Sequence, residues 1–377
     1  MTRLWILYII ILSVCVINSN GGQRQKKDCI TFVTILLTLF SGLRSWWYGD
    51  LIKYYTRYIT ESSLTLRELF QENGLRNFGL TVINKLAFSV FGEYGYDVLI
   101  FCIALFSAYT LGKVIEAYSP STYWSYLMYL SMGFYMFTFS GLKQTIAMGF
   151  CCLAMIALLQ DNIKKFFVMV GLGALFHAPA LAFLIAYPFS MKKFDEWYVA
   201  FITAMLGLMY LYRNQLAYVL EDAYYSESAA DAVLRKSVSG VGGRFVAMLL
   251  IMVLAMVLRP LTEKDKIYIK VFNIMVLAAS VQMMSVFNNT YTRLADYYYQ
   301  FVVLFVPMFM TPIHLRKEAA YRRVSAIIQN KDTRLILVVA ITIFSFWFFY
   351  TQAGVVENYG SLVFFWEKNA HSLYYGN

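Results

Sequence analysis

The chain has 377 residues, of which 60% are hydrophobic and only 14% are charged. That balance excludes a soluble globular protein, in which about a quarter of the residues are charged, and it indicates a polytopic membrane protein. The formal net charge of +10 does not indicate a nucleic-acid partner, because the cations are spread through short segments between apolar runs, where the positive-inside bias accounts for most of them.

Apolar runs long enough to cross a bilayer recur along the chain. The first, Leu4–Ile17, is not followed by a small-residue cleavage site, so we interpret it as a retained helix and not as a signal peptide. The sequence predicts ten spans: Leu4–Ile17, Cys29–Leu43, Tyr96–Leu111, Tyr123–Phe139, Thr145–Leu159, Trp197–Tyr212, Phe245–Leu258, Ile267–Phe287, Leu294–Ile313 and Leu335–Tyr350. We therefore expect an all-α membrane bundle in which residues 1–377 form a single domain.

A further apolar segment, Phe166–Phe189, is interrupted by His177-Ala178-Pro179. If this segment crosses the membrane once, the basic segment Arg316–Arg334 lies outside, against the orientation that the first half of the chain indicates. We therefore expect a broken, re-entrant helix pair with its tip near His177, both termini outside, and residues 314–334 as a basic cytoplasmic loop. A Pro-kinked helix is the alternative. Irregular backbone at membrane depth is buried in protein or lines a wet cavity, so the break also indicates a site.

Two long segments then lie on the outer side, Arg44–Gly95 and Arg213–Gly243. Within the first, residues 78–91 carry apolar side chains at helical spacing beside a polar stripe. The stripe consists of Asn77, Thr81, Asn84 and Lys85. This pattern predicts an amphipathic helix that lies in the membrane interface, and a short helix packed across the top of the bundle is the second interpretation.

Four cations stand at the outer ends of apolar spans, against the positive-inside bias: Arg44, Lys143, Arg244 and Arg293. Cations in such places usually hold an anion, since Arg grips phosphate oxygens with two nitrogens and Lys acts as a point charge. The chain has no nucleotide-binding loop, no G-x-S-x-G or H-E-x-x-H pattern, no D-x-D, and no C-x-x-C pair among its five cysteines. We therefore expect no cofactor and no metal, and a donor that is an activated, membrane-borne lipid diphosphate.

Short motifs then point to a family. Phe40-Ser41-Gly42-Leu43-Arg44, followed by Gly49-Asp50 and Tyr54-Tyr55, resembles the G-L-R…G-x-D…Y signature of the EpsG family of bacterial exopolysaccharide polymerases, within the wider Wzy group. Lys143-Gln144-Thr145-Ile146-Ala147 is similar to that family's R-Q-x-I-A, and Phe176-His177 and Arg293 with Tyr297 fall where the family has related residues. The resemblance covers Met1 to Ile313. The sequence departs from the family pattern at two places. Lys143 stands where the family usually has Arg, so it cannot bind phosphate through two nitrogens. Gly49 directly precedes Asp50 instead of lying two positions before it.

The resemblance implies a GT-C-like, metal-independent glycosyltransferase of the bacterial cytoplasmic (inner) membrane, with its active site facing the periplasm or the cell exterior. It would join oligosaccharide repeat units linked to undecaprenyl diphosphate, with membrane lipid around it and a chain-length regulator as a further candidate partner. Asp50 and His177 are then candidate general bases. The four cations would bind diphosphate, and the aromatic residues expected to bind sugar are Trp47, Tyr54 and Tyr297.

Plainer roles stay open for these residues. Arg44 could anchor its helix end in the headgroup layer, and Asp50 could pair with Arg44 or Lys53. Arg293 could pair with Asp296, and Arg244 with Glu221 or Asp222. Two other functions also combine many spans with such residues. A membrane O-acyltransferase that modifies surface glycans would need a cytoplasmic acyl donor, and a lipid-linked oligosaccharide flippase should show charges deep in its spans or two related halves.

Overall fold

The computed structural model of the protein describes residues 2–19, 21–45, 50–73, 78–193, 196–212, 215, 242–257, 266–286, 290–310, 331–358 and 364. These residues are helical apart from short connections and one isolated β-bridge. The predicted all-α class is therefore confirmed for them. The apolar composition explains it, because a helix satisfies the backbone polar groups within its own segment, as a bilayer requires.

The helices fall into two compact units, Met1–Leu181 with Leu335–Asn377, and Ala182–Arg334. The first contains α1 (Thr2–Ile17), α2 (Gln23–Gly42), α3 (Asp50–Ser63), α4 (Leu66–Asn73), α5 (Phe78–Phe91), α6 (Gly95–Tyr118), α7 (Thr122–Ser131), α8 (Phe134–Phe137), α9 (Leu142–Leu159), α10 (Ile163–Phe176) and most of α17 (Lys331–Asn358). The second contains α11 (Ala186–Ser190), α12 (Glu196–Leu211), α13 (Gly242–Val257), α14 (Lys266–Met283), α15 (Thr290–Tyr299) and α16 (Val302–Met310). Short 3-10 helices lie at Gly92–Tyr94, Ala178–Ile185 and Met284–Val286.

Apolar helices of membrane-spanning character occur in both units. Among the described residues, four helices are long and apolar enough to cross a bilayer: Phe78–Tyr118, Leu142–Leu159, Lys266–Met283 and Leu335–Ala353. Shorter apolar helices are Arg3–Ile17, Ala178–Ser190, Ala200–Leu211 and Gly243–Ala255. Each overlaps a segment that the sequence marks as apolar, which supports a membrane protein. The count of ten spans and the GT-C-like arrangement stay predictions.

Glycines allow the central helices of the first unit to approach closely. A Cβ at Gly149 on α9 would lie 2.6 Å from Cε1 of Phe106 on α6. One at Gly112 on α6 would lie 3.0 Å from Cγ2 of Ile30 on α2. Because no side chain intervenes at these points, α9 packs on α6 and α6 packs on α2, as is common where small residues lie between membrane helices.

The apolar segment around His177 is broken where the sequence predicts. α10 ends at Phe176, and His177 follows in extended conformation, with φ −148° and ψ 101°. Pro179 has no backbone N–H to donate to the carbonyl of Leu175, and its ring would clash with that carbonyl in a continued α-helix. A 3-10 helix follows at Ala178–Ile185. The break is therefore confirmed, and its re-entrant path through a membrane stays a prediction.

α5 has the bounds that the amphipathic pattern predicts, but Thr81 and Asn84 of its polar stripe face the protein, and Asn77 lies outside the described residues. Thr81 Oγ1 and Asn84 Nδ2 each donate a hydrogen bond of 3.1 Å to the carboxylate of Glu61 on α3, and both side chains are buried. Leu86 and Val90, on the apolar side, are 61% and 71% exposed. An interfacial helix would turn its polar stripe toward water, so the structure differs from that expectation. The reason is that buried polar groups satisfy one another, while an exposed apolar face suits lipid.

Candidate functional site

Arg44 lies just after α2 and is almost completely buried, at 2% exposure. Its guanidinium donates to the carbonyl oxygen of Ser41 and, over 2.9 Å, to that of Thr138. The same group lies 5.0 Å from the ring centroid of Phe139. The last carbonyls of a helix lack intrahelical partners and favour a cation, so Arg44 caps α2 and ties it to the segment that leads into α9.

Lys143 lies in the first turn of α9 and is half-buried. Its Nζ is 5.7 Å from the ring centroid of Tyr54 on α3. α9 begins after Gly141 without a side-chain cap, and its first turn holds no acidic residue. The free N–H groups and positive dipole end of a helix attract anions. The structure therefore brings Arg44, Tyr54 and Lys143 together around the connection between α8 and α9.

Next to Tyr54, two further tyrosines of α3, Tyr55 and Tyr58, form a cluster with Tyr96 of α6. The sequence indicates Tyr54 and Tyr55 as outer aromatic residues that could stack on sugar, but not Tyr58 or Tyr96. The rings of Tyr55 and Tyr58 lie 5.4 and 5.5 Å from that of Tyr96 on α6. Tyr96 donates a hydrogen bond of 2.8 Å to the carbonyl of Leu51, and Tyr58 donates one of 2.7 Å to that of Gly92. Burial raises the pKa of Tyr58 to about 12, so its phenol is a neutral donor at physiological pH. The tyrosine spacing along α3 is the sequence signal for this cluster.

Asp50 is the first residue of α3, where the positive end of the helix dipole stabilises a carboxylate. It accepts a hydrogen bond of 3.1 Å from Nζ of Lys53, and the two side chains are 49% and 81% exposed. One of the plainer pairings proposed for Asp50 is therefore present. An exposed pair of this kind contributes at most about 1 kcal/mol, so it leaves the carboxylate open to another partner.

His177 lies at the C-terminal end of α10 and is half-buried. Its backbone N–H donates to the carbonyl of Gly173 over 3.0 Å, and its own carbonyl accepts from Ala180 over 2.9 Å. These bonds hold the histidine at the break in the chain. Trp47, expected to bind sugar, lies outside the described residues.

In the second unit, Arg244 on α13 forms an ion pair with Asp296 on α15. Its guanidinium also lies 5.0 Å from the ring centroid of Tyr299. Asp296 is therefore bound by Arg244, and Arg293, the partner that the sequence offered, also interacts electrostatically with its carboxylate. The alternative partners of Arg244, Glu221 and Asp222, lie outside the described residues. Arg293 is exposed on α15, and Tyr297 is fully buried.

Among the residues that the structure describes, no three His, Cys, Asp or Glu side chains form a group that could hold a metal ion. The structure forms no disulfide with Cys15, Cys29, Cys102, Cys151 or Cys152.

Comparison with known proteins then adds one match. A family model described as the EpsG family matches residues 28–366. Neither the curated proteins nor the solved structures give a match. The matched range extends beyond Ile313, where the resemblance in motifs ends, and it therefore includes all of α17 and also Phe364.

Proposed function

The chain belongs to the EpsG family, a family of Wzy-type polysaccharide polymerases, and from that premise we propose that it joins oligosaccharide repeat units linked to undecaprenyl diphosphate. The reaction takes place on the outer face of the bacterial cytoplasmic membrane, toward the periplasm or the cell exterior. The enzyme is a metal-independent glycosyltransferase of GT-C-like architecture, and a chain-length regulator is a candidate partner.

The chemistry needs no external energy source, because the donor is already activated. A hydroxyl of one lipid-linked unit attacks the anomeric carbon of the chain carried by another. The bond from that carbon to the diphosphate oxygen breaks, the new glycosidic bond forms, and the hydroxyl proton passes to a base. Negative charge grows on the departing diphosphate, so cations fixed beside it lower the barrier.

One observation carries this proposal beyond the family match. Arg44 contacts Thr138 and Phe139 in the short connection between α8 and α9, and Lys143 lies in the first turn of α9 with its Nζ 5.7 Å from the ring centroid of Tyr54. Two cations and a helix N-terminus suit a diphosphate, and a neighbouring aromatic ring suits a sugar face. Lys143 supplies charge without the two-nitrogen grip of an Arg.

The remaining proposed roles rest on position. Arg244 and Arg293 are proposed to bind diphosphate, and Arg244 is oriented by Asp296. Asp50 and His177 are proposed as general bases, and the exposure of Asp50 supports access to an acceptor hydroxyl. Trp47 and Tyr297 are proposed to bind sugar.

The test is to delete the gene in its native host and to resolve lipid-linked and surface glycans by size. We expect single repeat units outside the membrane and loss of all longer chains. Full-length glycan that lacks an acyl group would instead indicate an acyltransferase, and repeat units trapped inside would indicate a flippase. Either result would overturn the proposal.

A further inference from the structure

Phe364 is the one described residue after Asn358, and it contacts the end of α2. Its backbone forms an antiparallel bridge with that of Arg44. Its ring lies 5.4 Å from the ring of Phe40, centroid to centroid and at 86°. The guanidinium of Arg3 lies 5.3 Å from the Phe364 centroid. Phe364 therefore contacts Arg44, the predicted diphosphate-binding residue, although the two are 320 positions apart in the sequence (364 − 44).

Arg44 needs this support because it lies outside any helix. α2 ends at Gly42, and α3 begins at Asp50. The side chain of Arg44 contacts two carbonyls and Phe139, and its main chain pairs with that of Phe364. A charge that stabilises a transition state must be fixed to a fraction of an ångström, since a misplacement of about 1 Å can cost about 100-fold in rate.

We infer that Phe364 is a positioning residue for Arg44 in the candidate site of the first unit. This inference rests on the proposed function. Phe364 itself touches no substrate. It holds the backbone of Arg44 by the bridge and the end of α2 by its ring, so that the guanidinium stays beside Thr138 and the start of α9.

The experiment measures steady-state turnover in membranes, with lipid-linked repeat units extracted from the deletion strain and rates divided by the amount of inserted protein. Phe364→Ala is expected to lower kcat by about tenfold to 100-fold and to change KM by less than about twofold, because an interaction made in the transition state is lost. Phe364→Tyr keeps the ring and should restore turnover. Tyr350→Ala removes an exposed aromatic side chain from α17 and serves as the matched control.

A double-mutant cycle separates positioning from a general structural role. In an Arg44→Lys background, Phe364→Ala should lower kcat by less than about twofold further, because the side chain that Phe364 positions is already impaired. Equal losses in both backgrounds would show that Phe364 acts independently of Arg44, and wild-type kcat in Phe364→Ala would also overturn the inference. If Phe364→Ala does not accumulate in the membrane, Phe364→Leu is tested in the same cycle.

Failure of the inference is distinguishable from failure of the proposed function. Wild-type turnover of Arg44→Lys and Arg44→Ala would refute the diphosphate role of Arg44, whatever Phe364 does. The contact itself is tested without activity, in a full-length chain whose native cysteines are replaced and which carries Phe40→Cys, Phe364→Cys and a protease site within residues 314–330. A bifunctional thiol reagent long enough to span two residues whose rings are in contact should join the two fragments after cleavage, since a disulfide would require closer Cβ atoms. Absence of this cross-link would contradict the contact.

Discussion

Removal of the Glu61 carboxylate should release α5 from α3. The carboxylate is almost completely buried and accepts three hydrogen bonds: from Arg57 Nε over 2.5 Å, and from Thr81 and Asn84 over 3.1 Å each. In Glu61→Ala, Thr81 and Asn84 stay buried and lose this acceptor. The side chain of Arg57 is 26% exposed, so part of its charge is rehydrated.

The magnitude follows from these contacts. Each buried donor left unsatisfied costs about 1–3 kcal/mol, and breaking a fully buried ion pair costs about 3–5 kcal/mol, which the partial exposure of Arg57 reduces. We expect Glu61→Ala to cost about 3–4 kcal/mol in the local free energy of opening. Glu61→Gln keeps one acceptor oxygen and should cost about 1–2 kcal/mol.

Hydrogen exchange in lipid nanodiscs, followed by mass spectrometry, measures this local opening. A cost of about 3 kcal/mol raises exchange in α5 by about two orders of magnitude, since each 1.4 kcal/mol is about tenfold. Glu93→Ala, an exposed acid in the same outer segment, is the matched control and should leave α5 protected. Unchanged exchange of α5 in Glu61→Ala would refute the claim that this network holds the two helices together.

Arg44→Ala should abolish long glycan. Arg44→Lys should leave a small amount of long glycan, because Lys cannot bind phosphate through two nitrogens. A normal glycan ladder from Arg44→Ala, at equal amounts of inserted protein, would refute the diphosphate role. Gly149→Ala should lower the free energy of unfolding by about 1–3 kcal/mol through overpacking, because its Cβ would lie 2.6 Å from Phe106. A Cβ at Gly171 has nothing within 4 Å, so Gly171→Ala should be neutral or slightly stabilising. Equal melting temperatures of the two variants in detergent would contradict the close approach of α9 and α6. Burial raises the pKa of Tyr58 from 10.0 to about 12, so its stabilising contribution is complete below pH 10 and is lost as the pH rises to 12. The free energy of unfolding of Tyr58→Phe should depend less on pH in that range than that of the wild type. The same pH dependence in both proteins would contradict this contribution.

Local sequence signals were sufficient to locate some of the candidate residues. Arg44 and Lys143 stand at the ends of apolar runs, so a prediction of those ends also located the charges. Tyr54 follows on the same outer segment as Arg44 and lies against Lys143, and the binding role of all three stays a proposal. The break at His177 was predictable because an α-helix does not continue undistorted through Pro179, two residues later.

Contacts between distant parts of the chain were not predictable in this way. Glu61 accepts hydrogen bonds from α5, Asp296 forms an ion pair with Arg244, and Phe364 forms a backbone bridge with Arg44. No pattern within one segment specifies any of these pairs. The polar stripe of α5 was located correctly, but its direction depends on whether the surroundings are water or lipid. Hydrophobic periodicity identifies a face and leaves open what covers it.

The inward-facing polar side of α5 also determines how this protein can be handled. An excised fragment of residues 50–94 would present Leu86 and Val90 to buffer, so it would self-associate and would make a poor soluble antigen. Antibodies or inhibitors directed at this region should therefore be selected against the intact chain in nanodiscs, where lipid covers those side chains and only the surfaces accessible in the cell remain available for binding.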